Sequence, residues 1–319
     1  MIPPWLSPDP PASTRTPRTP RSRCCAWRCA TTTGRGLRAV FADADAATAT
    51  HLVEAAAQWG GLDSFLRLRL RDEPQDQLAQ TLLGATHLRI GWRIRTGAMA
   101  DQVSADRFAR FHDHLRRAEQ LLIDVTARWP DDVAARTQRI TTARGLQLGQ
   151  AETRRRYDRL ARHRPHHLPA QLGLLQQLCP KWGGDWAEVD AFARSCVEAT
   201  PPGAPHGVLV AQAHIERIIE YADRRAFRVY LRSPDVAQEI QAAADRSVRH
   251  PDFQHTIGWV SVRSTFALVF HVMGEHTAAR EQFDALGPHG DPFFFGYLGH
   301  PADRFVQARD EAYAKGRAR

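Results

Sequence analysis

Two histidines lie near a carboxylate in the chain, the residue types that proton transfer uses. His214 stands two residues before Glu216, and His271 stands four before Glu275. A histidine held by a carboxylate can take or give a proton near neutral pH, as a hydrolase would require. Each pair also has a plainer reading. His214 adjoins an apolar stripe, the usual setting of a hydrogen-bonded core histidine, and Gly274 should end the helix between His271 and Glu275. His112 and His114 are two apart, roughly 200° around a helix, which does not suit chelation of one ion. His163, His166 and His167 surround Pro165 at an expected helix end, where they would meet the carbonyl end of the helix dipole. Cys24, Cys25 and Cys29 lack the second half of a zinc pattern. There is no G-x4-G-K-[ST], H-E-x-x-H or G-x-S-x-G. No metal, cofactor or catalytic residue is therefore expected.

Charge offers a second chemistry, contact with a polyanion. The 319 residues carry a net +8. Residues 1–36 hold Arg15, Arg18, Arg21, Arg23, Arg28 and Arg35 against Asp9, a net +5, which leaves +3 for the other 283 residues. A body that near neutrality does not bind nucleic acid through net charge alone. One local cluster remains, Arg154, Arg155, Arg156, Arg159, Arg162 and Arg164 with Glu152 and Asp158. Tyr157 and Leu160 mark its buried face, so the arginines are expected to ring the exposed side. Lys181 and Lys315 are the only lysines, and the Arg and Ala richness has the look of a GC-rich genome.

The elements that would position these groups are helices. Residues 1–36 have seven prolines and no apolar periodicity, and read as a disordered tail without the apolar stretch of a signal peptide. Residues 37–319 read as one helical domain. Phe108, Phe111, Leu115, Ala118, Leu122 and Val125 recur at steps of three and four, as do Val208, Ala211, Ile215, Ile218 and Ala222. Ser233-Pro234-Asp235 marks a helix start. Leu66-Arg67-Leu68-Arg69-Leu70-Arg71 alternates like a strand, but its helical surroundings favour a helix. Trp59-Gly60-Gly61 and Trp182-Gly183-Gly184 echo each other at expected turns, where a tryptophan packs two helices together or stacks on a ligand. No apolar run reaches the roughly 18 residues of a membrane span.

The helices recur. Pro130, Pro165 and Pro201 follow amphipathic segments 35 and 36 residues apart. Ala118, Leu122 and Val125 precede the first; Thr153, Tyr157 and Leu160 the second; Gly184, Val189, Ala193 and Cys196 the third. Gly274, Ala279, Phe283 and Leu286 repeat the third pattern, while the spacing breaks between Pro201 and Pro251. This resembles the tetratricopeptide repeat (TPR), with a turn glycine, a small residue for close helix approach and a larger one filling the gap to the next unit. A generic bundle of helical hairpins is the alternative. The segments Arg89-Ile90-Gly91-Trp92, Thr141-Thr142-Ala143-Arg144-Gly145 and Leu178-Cys179-Pro180-Lys181-Trp182-Gly183-Gly184 are similar to an uncharacterised family of actinobacterial helical-repeat proteins bearing a domain of unknown function. The resemblance covers roughly residues 60–319. It implies a bacterial cytoplasmic protein with an all-α, TPR-like superhelix and supplies no catalytic residue.

The expected function is a non-enzymatic scaffold for a protein or peptide partner. Its groove would be lined by helices near 80–96, 134–147, 168–179, 207–222 and 256–272. Arg89, Trp92, Arg139, Arg144, Gln176 and His214 are the candidate binding residues by position. The alternatives are a hydrolase-like enzyme using His214 or His271, and a nucleic-acid-contacting regulator using the Arg154–Arg164 helix.

Overall fold

The computed structural model describes residues 34–96, 102–221 and 223–317. These residues are all-helical, with no strand among them. Of the expected tail, residues 1–33 lie outside the described residues, and Gly34 opens a helix. In chain order the helices are α1 (Gly34–Phe41), α2 (Ala46–Ala56), α3 (Leu62–Asp72), α4 (Gln77–Arg95), α5 (Ala105–Arg128), α6 (Val133–Gly145), α7 (Gln150–Ala161) and α8 (Leu168–Leu178). They continue as α9 (Trp186–Glu198), α10 (Val208–Glu216), α11 (Arg224–Leu231), α12 (Pro234–Arg246), α13 (Trp259–Met273), α14 (His276–Leu286) and α15 (Pro301–Lys315). The alternating 66–71 segment is helical, within α3.

Short polar residues start many of these helices. Asp45, Asp76, Ser104, Asp132, Asp185 and Asp223 each accept a backbone N–H of the first turn with their side chain. Each such cap stabilises its helix by about 1 kcal/mol. Ser233 does precede α12, with Pro234 at the first helical position, but its hydroxyl donates back to Tyr230 O instead of capping. Gly274 ends α13 at φ +81, a conformation that favours glycine. At Gly184 a Cβ would stand 2.0 Å from the Leu178 carbonyl oxygen, so the turn between α8 and α9 closes only around glycine.

The helices form two rows. In one, α4 packs on α6, α6 on α8, α8 on α10 and α10 on α13. In the other, α5, α7, α9, α12 and α14 pack on α4, α6, α8, α10 and α13 respectively. α11 is an extra helix between α10 and α12, which accounts for the broken spacing after Pro201. Burial separates the rows. All nine residues of α10 are buried, whereas α7 buries only Thr153, Tyr157 and Leu160. A helix buried all round has neighbours on every side. The face expected to be an open groove is accordingly covered by the chain itself: α2 lies across α4, α6 and α8, and the short 3-10 segment Phe293–Leu298 packs on α13 and α15. Phe283, Phe295 and Phe305 close this end, edge-on to one another at 5.0 and 5.4 Å. Each buried ring contributes about 1.5–3 kcal/mol.

Candidate binding face

The helices of the inner row run parallel, so their N-terminal ends form one edge and their C-terminal ends another. α2 lies on the N-terminal edge. Its stripe is small: Thr50, Val53 and Ala56 are buried, and Val53 and Ala56 share a core with Leu82, Leu83 and Ala134. The Thr50 hydroxyl donates to Ala46 O at 2.8 Å and so accepts from His167 Nε2 at 3.2 Å, at the start of α8. Gln138 of α6 donates to Glu54 at 3.3 Å. A Cβ on Gly258, just before α13, would stand 2.8 Å from His51 Nε2. α2 therefore reaches from α4 to the start of α13. Burial pushes His167 down to about 4, and His206, which bonds His166 O before α10, likewise to about 4. These rings are neutral; His167 stands at the start of α8, where its ring bonds Thr50 and does not cap the helix, and it is not the cation expected at the end of α7.

The C-terminal edge is made of larger and charged groups. Arg144, at the end of α6, lies between two indoles, its guanidinium carbon 5.8 Å from the Trp92 ring and 5.6 Å from the Trp182 ring. Burial lowers Arg144 to about 10, against the opposing influence of Cys179 and Glu216. Glu216, fully buried at the end of α10, accepts from Gln176 at 2.6 Å, from Lys181 at 2.5 Å and from the Tyr297 hydroxyl at 3.0 Å. Burial, reinforced by Glu216, pushes Tyr297 well above the usual tyrosine range. Cys179 is pushed up to about 12 by the same burial, so it is a thiol and not a nucleophile. Beside this group Arg217 lies over the Trp186 ring and binds both oxygens of Asp190 at 2.7 Å.

Trp92, Arg144 and Gln176 thus come together, and Arg89 lies one turn before Trp92 on α4. Arg139 does not join them: it binds Glu119 and Thr126 on the outer side. Arg156 reaches the same Glu119 with only 9% of its side chain exposed, so that arginine of the cluster turns inward, while Arg155, Arg159, Arg162 and Arg164 are exposed as expected. His214 does not meet Glu216. Its Nε2 faces Glu239 at 3.2 Å, and its Nδ1 faces the Tyr230 hydroxyl at 2.7 Å. Glu239 can only accept, so Nε2 carries a proton and donates to it. That bond, with Arg194, holds Glu239 down at about 2. His271 and Glu275 fall on opposite sides of the Gly274 turn, and Glu275 precedes α14.

Lys181 and Tyr297, the partners of Glu216, are not placed there by any spacing in the sequence. Lys181 had a signal: it is one of two lysines in an arginine-rich chain, and it lies inside the Trp182-Gly183-Gly184 turn. Among the described residues no group of three metal-binding side chains occurs, and no helix is long and apolar enough to cross a membrane. Comparison with family models, curated proteins and solved structures finds no match for this chain.

Proposed function

We propose that this chain is a non-enzymatic scaffold of TPR-like helical hairpins whose inner row takes up a protein segment in helical form. The observation that carries the reading is the seat of α2, eleven residues lying as a helix across three successive inner helices. A short helix laid on a face of this kind is a recurring mode of peptide recognition. The repeat reading is supported by burial of its marker residues: Thr153, Val189 and Ala279 at the small position are each 0% exposed, and Tyr157, Ala193 and Phe283 follow four residues later, also buried. Membership of the actinobacterial helical-repeat family and a cytoplasmic location belong to the same proposal.

A labelled peptide of residues 44–58 tests it. Added to the full chain carrying Val53→Asp, which expels the chain's own α2, the peptide should bind in trans. The unaltered chain should bind it at least about tenfold more weakly, because its tethered helix competes at high effective concentration. A Val53→Asp chain that keeps its helical circular dichroism yet ignores the peptide, or binds a scrambled peptide equally, would sink the reading.

A further inference from the structure

A different observation, on the C-terminal edge, points to a small-molecule site and does not depend on how α2 is read. Arg144 is 8% exposed, and its guanidinium meets no carboxylate among the described residues. Nη1 donates to Gly173 O at 3.1 Å, while Nε and Nη2 make no hydrogen bond there. A cation this deeply buried is ordinarily paired. The two indoles that flank it, edge-to-face at 6.0 Å, are short of a partner as well. Trp92 is 2% exposed, and both Trp92 Nε1 and Trp182 Nε1 are buried without an acceptor. Three donor groups of one guanidinium–indole cluster thus have one backbone oxygen between them.

The neighbouring carboxylates do not answer this demand. Glu216 is held by Lys181, Gln176 and Tyr297, and Asp190 by Arg217. Lys181 is paired with Glu216 and Arg217 with Asp190, so Arg144 is the cation of this group with no carboxylate bonded to it among the described residues. One singly charged carboxylate would match that one guanidinium. The free Nε–Nη2 edge of a guanidinium matches the two oxygens of a carboxylate. Flat apolar walls beside it suit a flat ligand body. We propose that Arg144, Trp92 and Trp182 bind a small planar carboxylate, with Arg144 gripping the oxygens and the indoles supplying N–H donors and stacking surface.

Benzoate is the probe, with benzamide as its neutral isostere and sulfate as a divalent anion, each titrated calorimetrically into the full chain. Benzoate should bind saturably. Benzamide and sulfate should bind at least about tenfold more weakly, and Arg144→Gln should lose benzoate by a similar factor. Trp182→Phe keeps a ring over the guanidinium and removes one donor, so it should weaken benzoate several-fold in a chain with normal helical content. No saturable benzoate signal, equal binding of benzamide, or benzoate binding unchanged in Trp182→Phe or in a folded Arg144→Gln would overturn the proposal.

Discussion

The two edges of the inner row are closed by different physics. At the N-terminal ends of α4, α6 and α8 the covering piece is α2, whose buried face is Thr50, Val53 and Ala56, and the facing histidines are neutral. At the C-terminal ends the closure is Arg144, Lys181, Glu216 and two tryptophans. The helix dipoles account for much of the contrast. Parallel helices gather positive partial charge at one edge, where aspartates cap and protonated histidine is disfavoured, and negative partial charge at the other, where arginine and lysine are favoured. The N-terminal edge depends on fit, with one short helix seated across it. The C-terminal edge depends on charge and fails when the balance is disturbed.

The sharpest way to break this contrast is Glu216→Ala. The change leaves the half-buried Lys181 without its carboxylate, and the half-buried Gln176 and buried Tyr297 donors without their acceptor. Removing one member of such a buried group costs about 3–5 kcal/mol. Urea unfolding monitored by circular dichroism should show that loss. A cost under about 1 kcal/mol would mean that water already compensates these groups and that the edge is not held by charge.

Acid should act on the opposite edge. His167 and His206 are held near 4, below the ordinary histidine value of 6.5. As pH falls the unfolded chain takes up these protons first, so stability is fully present above about 6.5 and declines until about 4. His87 follows the same course: burial and the neighbouring His114 and Arg67 hold it at about 4. Hydrogen exchange followed from pH 7 to pH 4.5 should therefore lose protection in α2 and at the start of α8 before the turn around Lys181. Simultaneous loss at both edges would contradict the separation.

The helices were legible in the sequence because the outer row is amphipathic. Phe111, Leu115, Ala118, Leu122 and Val125 are all buried on α5, as their spacing requires. The five expected groove segments coincide with α4, α6, α8, α10 with its 3-10 extension, and α13. What the sequence concealed was their covering. A helix buried all round has no periodic stripe, and α2 looks unremarkable because its buried stripe is Thr, Val and Ala. The candidate site was half legible for a similar reason. Trp92, Arg144 and Gln176 fell in the right place by position on their helices, but the partners of Glu216 lie 35 and 81 residues away, and Glu239 is 25 from His214. Nearness in the chain suggested Glu216 for His214, whereas two residues along a helix turn side chains roughly 200° apart.

The smallest expected effect probes how far fit alone holds the N-terminal edge. Thr50→Val keeps the shape of a fully buried side chain and removes the hydroxyl that accepts from His167. The loss of the Thr50 bond to Ala46 O costs little, because that oxygen already takes part in the α2 backbone ladder. His167 Nε2–H is left facing a methyl group, and an unmet buried donor costs about 1 kcal/mol at the low end of its range. The urea midpoint should therefore move slightly, and far less than in Glu216→Ala. A neutral imidazole without its acceptor also loses a reason to keep its proton on Nε2, so the nitrogen resonances of His167 should report a shift toward the other tautomer. A loss comparable to that of Glu216→Ala would show that α2 is held by its hydrogen bond, and the division of the inner row into a fitted edge and a charged edge would not stand.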